Sequence, residues 1–203
     1  MNLFWLILSV LLWGFLHSLL ASSSVKTLTQ RVFGAAERRY YRLAYNIFAC
    51  ISFLPVLVIT TMTPDHDIYT IPFPWVIPML AGQLLALVAL VIGFRQMDAG
   101  EFLGLRQLVG REIAKRETMR LATTGLYCYV RHPLYTAGII FIWLTPIMTV
   151  NVMAINLGLM VYILVGAYFE DRRLNREFGA QYAAYQAATP MLIPCLWLKR
   201  NKK

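Results

Sequence analysis

Charge is what this sequence has least of. Asp, Glu, Lys and Arg make up 14% of its residues against 59% that are hydrophobic, and its mean hydropathy is positive. A chain of 203 residues so composed has too little polar surface to coat a water-soluble globule. It reads as an integral membrane protein. Cysteine is scarce as well: Cys50, Cys128 and Cys195 are odd in number and scattered. They show neither metal-ligand spacing nor a pairing framework, so no metal site is expected and all three read as free thiols. The first apolar run, Leu3 to Leu20, lacks a basic leading region and a small-residue cleavage site. It is long enough to span, which marks a retained helix and not a signal peptide. Internal repeats and low-complexity segments are also lacking.

What the sequence has is apolar runs. Five approach the roughly 20 residues that cross a bilayer: Leu3 to Leu20, Leu43 to Thr61, Trp75 to Phe94, Leu134 to Val150 and Val152 to Phe169. The last two are short and only Asn151 separates them, with Thr145-Pro146 expected to kink the first, so the pattern predicts a tight antiparallel hairpin. Past Glu170, the spacing of Leu174, Phe178, Tyr182 and Tyr185 opposite Arg172, Arg176 and Gln186 predicts an amphipathic helix on the membrane face, ended at Thr189-Pro190. The expected fold is all-α: one membrane domain over 1–203, a polytopic bundle of about five transmembrane helices. Within it, 1–94 holds three spans, 95–132 a non-spanning segment, and 133–203 the hairpin and the amphipathic helix.

All 19 lysines and arginines fall in three segments: between the first and second runs, between the third and fourth, and after the fifth. The N-terminus, the connection Thr63 to Pro74 and the turn at Asn151 carry none. By the positive-inside rule the N-terminus is outside and the C-terminus cytoplasmic, as in a multi-pass protein of a bacterial inner membrane. The net charge of +9 is then a topology signal with attraction to anionic headgroups, which argues against a nucleic-acid partner.

Chemistry concentrates at Gly125-Leu-Tyr127-Cys-Tyr129-Val-Arg131-His132-Pro133-Leu-Tyr135, set directly against an apolar run. Pro133 suits the first turn of a helix and holds His132 extended just outside it. Arg131 can pair with an acidic group, and Tyr127, Tyr129 and Tyr135 offer faces for a heterocycle or a cation. An antiparallel hairpin would bring Glu170 beside His132, with His17-Ser18 and Arg95-Gln96 at the same depth. Taken singly these residues also suit plain interface anchors. Together they describe a site for a zwitterionic, aromatic small molecule.

Thr124-Gly-Leu-Tyr127, Arg131-His-Pro-Leu-Tyr135, Glu170-Asp-Arg-Arg-Leu174, Phe178-Gly179, Tyr182, Tyr185 and the closing Pro190 to Pro194 occur in an order and spacing that resembles the isoprenylcysteine carboxyl methyltransferase superfamily of integral membrane methyltransferases. His17-Ser-Leu-Leu-Ala21, Glu37-Arg-Arg-Tyr-Tyr41, Leu103-Gly-Leu-Arg-Gln107 and Thr145-Pro-Ile-Met-Thr149 resemble its methanethiol S-methyltransferase branch and the related denitrification-associated membrane proteins. The resemblance implies S-adenosylmethionine bound between Leu121-Ala122, Tyr127, the Arg131-His132-Pro133-Leu134-Tyr135 segment and Glu170. Where the prenylcysteine branch carries a basic residue one turn before the glutamate, this chain has Gly166, which argues against prenylated proteins as substrates.

Transfer of a methyl group from a sulfonium to a thiolate neutralises two opposite charges, so a dry pocket favours it. The expected acceptor is a small thiol or another apolar, lipid-like nucleophile entering from the membrane, with His132 or Glu170 as the general base. Isoprenylcysteine or phospholipid acceptors are the alternatives within this chemistry. A nicotinamide-linked sterol reductase and a non-catalytic membrane accessory protein are the competing classes.

Overall fold

Polar residues and prolines set where the helices stop. The computed structural model describes residues 2–96, 100, 103–108 and 121–194. Thr118, Arg111, Lys115, Arg116, Arg120, Cys195 and the basic tail Lys199 to Lys203 lie outside the described residues, as do 97–99, 101–102 and 109–120 of the segment 95–132. Among the described residues four helices are long and apolar enough to cross a membrane: α1 (Leu3–Ala21), α3 (Ala35–Met62, apolar from Arg39), α4 (Val76–Gln96) and α7 (Val150–Phe178). Their outward faces are apolar, as at Phe4, Leu85 and Val91, which are 62%, 69% and 58% exposed. The protein is a polytopic helical membrane protein. Shorter elements are α2 (Ser23–Phe33), α5 (Leu105–Leu108), α6 (Pro133–Trp143), α8 (Ala180–Ala188) and two strands, β1 (Asp67–Thr70) and β2 (Ile147–Thr149).

The fourth apolar run departs from expectation. Its helix, α6, ends after 11 residues at Trp143 and is followed by β2. Pro146 is the reason: proline cannot continue the helical ladder and drives Thr145 out of the helical region, while its carbonyl accepts from Ile71 N at 2.9 Å. β2 pairs antiparallel with β1, Thr70 opposite Ile147 and Asp67 opposite Thr149. The turn therefore lies over 144–149, and Asn151 is already inside α7.

The chain forms two compact units. The first holds α1, α2, α3, α5, both strands and α7 to Tyr162. Leu6, Val10 and Val56, at most 4% exposed, form its core, packed by Trp13, Phe53 and Ile155. Asn151, fully buried, donates through Nδ2 to Thr63 O at 3.0 Å and Thr60 O at 3.4 Å, satisfying carbonyls at the end of α3. Asp65 Oδ1 accepts from Asn151 N at 3.0 Å and His66 N at 2.9 Å, placing a carboxylate at the start of α7.

Burial works to raise the Asp65 carboxyl, but hydrogen bonds from Thr149 and from the Asn151 and His66 amides outweigh it and hold the group below its ordinary value. A carboxyl depressed in the folded state contributes stability above its unfolded value and loses it as pH falls through the folded one. Asp65→Asn should thus lower the thermal midpoint at pH 7, by the equivalent of ~0.3–1 kcal/mol for an acidic group at a helix start. The gap from the parent should close as pH falls through and below the ordinary carboxylate range. Melting curves in detergent across that range check it.

The second unit holds α4, α6, α8 and α7 from Ile163 onward. Gly82 and Gly93 lie three turns apart on one face of α4; a Cβ at the first would meet the Leu144 side chain and at the second would come within 2.7 Å of Leu134. Small residues allow this close packing of α4 against α6, and Gln83 Nε2 adds a bond to Phe141 O at 3.1 Å. α6 and α7 run antiparallel, with Gly138 near Ile163 and His132 near Asp171. The expected amphipathic helix proves to be two pieces. α7 continues past Glu170 to Phe178, and Gly179, at φ 53, turns the chain into α8.

Candidate functional site

Everything that positions the polar segment lies within the second unit. Residues 121–123, without regular structure, lead through extended Thr124 into a 3-10 turn at Gly125–Cys128. Gly125 has φ 63, and a Cβ there would run into the Gln96 amide, whose Oε1 accepts from Leu126 N at 3.2 Å. Only glycine meets both demands. Pro133 then opens α6 with His132 as its cap. The amides of Arg131 and His132, which a helix start would leave unpaired, donate to Pro190 O at 2.8 Å and Met191 O at 3.1 Å. Thr136 Oγ1 donates to Leu192 O at 2.7 Å. The segment after α8 thus lies along the approach to α6 and fixes it.

At the centre is Asp171, 6% exposed. Its carboxylate receives Arg131 Nη2 at 2.5 Å and Nε at 3.4 Å, His132 Nε2 at 2.7 Å, the Tyr182 hydroxyl, and Gln186 Nε2 at 3.4 Å. Arg131 Nη1 also donates to Thr189 O at 2.6 Å and Gln186 O at 3.2 Å, capping the end of α8. The guanidinium is therefore committed inside the protein, its charge met by a bidentate partner.

This arrangement sets the imidazole. A carboxylate is acceptor-only, so Nε2 must carry the hydrogen, and neutral His132 presents its Nδ1 lone pair on the other edge. Glu170 Oε2 lies 3.7 Å from Nδ1, and its Oε1 lies 3.6 Å from Arg173, beyond hydrogen-bond reach in both cases. The Glu170 side chain is 26% exposed, so its carboxylate retains acceptor capacity. Tyr135 stacks on His132 with centroids 5.4 Å apart at 23°.

Burial pushes the Tyr127 hydroxyl up to about 12, reinforced by the Glu170 charge and by Tyr185; burial likewise raises Tyr185 to about 12. Burial and the Asp171 hydrogen bond raise Tyr182 further. At neutral pH these phenols are donors. Tyr185 donates to Tyr127 O at 2.6 Å, tying α8 to the 3-10 turn.

Of the residues singled out in the sequence, Tyr127, Arg131, His132, Pro133, Tyr135 and Glu170 come together. Leu134 turns its side chain to Gly93 and packs α6 on α4. Among the described residues no hydrogen bond ties Leu121 or Ala122 to the cluster. Asp171, Tyr182, Gln186 and Thr189 were not read as site residues, although Asp171 and Tyr182 stand in the motif that carries the family resemblance. The available signal was periodicity: Asp171 shares a helical stripe with Ala167, Leu174 and Phe178, and a charge on a buried stripe demands a partner.

The first unit gathers the remaining motifs. Tyr45 Oη lies 2.6 Å from His17 Nε2, Tyr41 Oη donates to Leu20 O at 2.5 Å, and Arg39 Nε donates to Leu108 O at 2.9 Å. His17 also packs edge-on against Tyr162. Hydrogen bonds between membrane helices contribute ~0.6–2 kcal/mol, so Tyr45→Phe should lower the thermal midpoint by that equivalent, read by melting in detergent.

Fold and site together define a polytopic membrane protein with a buried carboxylate, guanidinium and imidazole cluster where its helices leave the apolar layer. Residues 77–181 match the model of the phospholipid methyltransferase family, and the chain belongs to that family. It is 30% identical over 185 residues to methanethiol S-methyltransferase 1 of Bradyrhizobium diazoefficiens, covering 88% of this chain and 62% of that protein. It is 39% identical over 109 residues to methanethiol S-methyltransferase 2 of the same organism, covering 52% and 41%. With the methanethiol S-methyltransferase of Crocosphaera subtropica it shares 33% over 133 residues, covering 62% and 52%. The chain thus spans less than two thirds of the length of these relatives. No solved structure matches it.

Proposed function

We propose that this protein transfers a methyl group from S-adenosylmethionine to a small thiol at the cytoplasmic face of a bacterial inner membrane. The observation that carries the proposal is His132, oriented through Nε2 by Asp171, with its Nδ1 3.7 Å from the half-buried Glu170 carboxylate. The names of the relatives point to a thiol as acceptor, and the distribution of lysine and arginine supports an outside N-terminus and a cytoplasmic site.

The residues present fit such a methyl donor. Glu170 offers free acceptor oxygens for hydroxyl or ammonium groups, Tyr127 a donor, and Tyr135 an aromatic face. Leu121, Ala122, Tyr127, the segment from His132 to Tyr135 and Glu170 would hold it. When bound, S-adenosylmethionine supplies an electrophilic methyl group. His132 accepts the thiol proton at Nδ1, while Asp171, with Arg131 and Tyr182, keeps the proton on Nε2 and the ring in place. Asp171 and Arg131 are positioning residues.

A phospholipid acceptor is the second reading, favoured by the family match over 77–181. A methyl-transfer assay on detergent-purified protein with labelled S-adenosylmethionine and a panel of thiols, phospholipids and prenylcysteine tests both. A labelled thioether is the expected product. Labelled lipid alone would select the second reading, and neither cofactor binding nor transfer to any acceptor would sink both.

A further inference from the structure

The face of α7 turned away from the cluster carries its own device. At about 100° per residue, Val165, Phe169, Arg172 and Arg176 fall within about 60° of arc, and both arginines stand at least about 100° from Asp171 and from Glu170. A concavity of about 590 Å³ opens there, lined by Phe169, Arg172, Asn175 and Arg176. Neither Arg172 nor Arg176 has a carboxylate partner among the described residues, whereas Arg131 and Arg173 do. Arg172 is held in place by the Tyr168 ring, 5.3 Å beneath its guanidinium. Asn175 gives one N–H to Gln186 Oε1 at 2.9 Å and keeps a second. Toward the apolar layer the same strip continues as Phe169 and Val165, 60% and 48% exposed.

We propose that this strip binds an anionic phospholipid, its phosphate between Arg172 and Arg176 and an acyl chain along Phe169 and Val165. The occupant follows from charge. Two guanidiniums with no acid in the groove attract a net-negative headgroup and repel the ammonium of a zwitterionic one. The last turn of a helix disfavours an anion weakly, and two facing cations outweigh it. Because the groove lies on the far side of α7 from Glu170, this lipid is a bound effector and not the methyl acceptor, so the inference stands whichever acceptor is methylated.

Native mass spectrometry of the full chain, loaded with phosphatidylglycerol, phosphatidylcholine or glycerol phosphate, tests it. Phosphatidylglycerol should be retained over phosphatidylcholine. Each of Arg172→Gln and Arg176→Gln should weaken that retention about fivefold and the pair about 25-fold, with Arg31→Gln on α2 as the unaffected control. Both sites are exposed, so the variants should fold, which an unchanged melting midpoint verifies. Equal retention of the two lipids, an equal loss in Arg31→Gln, or glycerol phosphate binding as tightly as the lipid would overturn the proposal. So would methylation of a lipid whose retention depends on these arginines.

Discussion

Asp171→Asn should leave a folded protein whose proposed methyl transfer falls by ~10²–10⁴-fold, the span that general acid–base catalysis contributes, with about 10⁴ the loss where a triad histidine's carboxylate becomes an amide. In the parent, one buried carboxylate accepts from Arg131, His132, Tyr182 and Gln186. An asparagine has one accepting and one donating end. If the oxygen faces Arg131, the amide meets His132 and forces the hydrogen onto Nδ1, the atom proposed to take the substrate proton. If it faces His132, the amide opposes the guanidinium. Either way Arg131 keeps a buried charge without its counter-ion, a situation that costs about 3–5 kcal/mol when a partner is removed outright. Asp171→Ala should therefore fail to accumulate, while Asp171→Asn keeps enough bonds to be assayed. The separating readout is the split between steps: kcat falls while cofactor affinity, proposed to depend on Glu170, changes less than about threefold. Tyr182→Phe, which removes a neutral donor and no charge, should cost only about fivefold, in keeping with ~1 kcal/mol for a neutral hydrogen bond. A folded Asp171→Asn protein with parental kcat would end the claim that this carboxylate orients His132.

The helices that cross the membrane were legible because hydropathy acts over whole segments and tolerates local detail. The exceptions were decided by single residues. Thr145-Pro146 was read as a kink inside a span, yet the strand pairing available through β1 let the chain abandon the helix at Trp143. Gly179 was hidden because the stripe Leu174, Phe178, Tyr182 and Tyr185 keeps helical period across it; a positive φ breaks the axis without breaking the pattern. At the site, His132, Tyr127 and Glu170 could be found from residue type and from the topology of the hairpin. Asp171 could not be told from Glu170 by type, since the two are adjacent acids. Only the rotation of α7 separates them, one turned among Arg131, His132 and Tyr182 and the other toward the open edge. That rotation is fixed by the packing of Ala167, with no exposed surface, and by α8 closing over it. The motifs that resemble the thiol branch fall mainly in the first unit and those of the shared core in the second, so the division of the sequence signal follows the division of the fold.

Glu170→Gln should do the opposite of Asp171→Asn. Its carboxylate has no hydrogen bond within the described structure: His132 Nδ1 stands at 3.7 Å and Arg173, 62% exposed, at 3.6 Å. A pair of that geometry and exposure contributes under about 1 kcal/mol, so the melting midpoint should barely move. Cofactor binding should suffer instead, because a charged acceptor lost from a ligand's hydroxyl or ammonium groups costs about 1.5–3 kcal/mol. That corresponds to roughly 10- to 150-fold in Kd, measured by calorimetry on detergent-purified protein. Glu170→Asp, which keeps the charge but shortens the reach, should fall between the two. A parental Kd in Glu170→Gln would remove Glu170 from the binding site. The two neighbouring acids thus make a matched pair of tests, since helix rotation alone turns one among buried partners and leaves the other at the open edge, where the proposed ligand would meet it. If the phenotypes came out exchanged, with Glu170→Gln unfolding and Asp171→Asn only weakening cofactor binding, the rotation of α7 at this turn would itself be wrong.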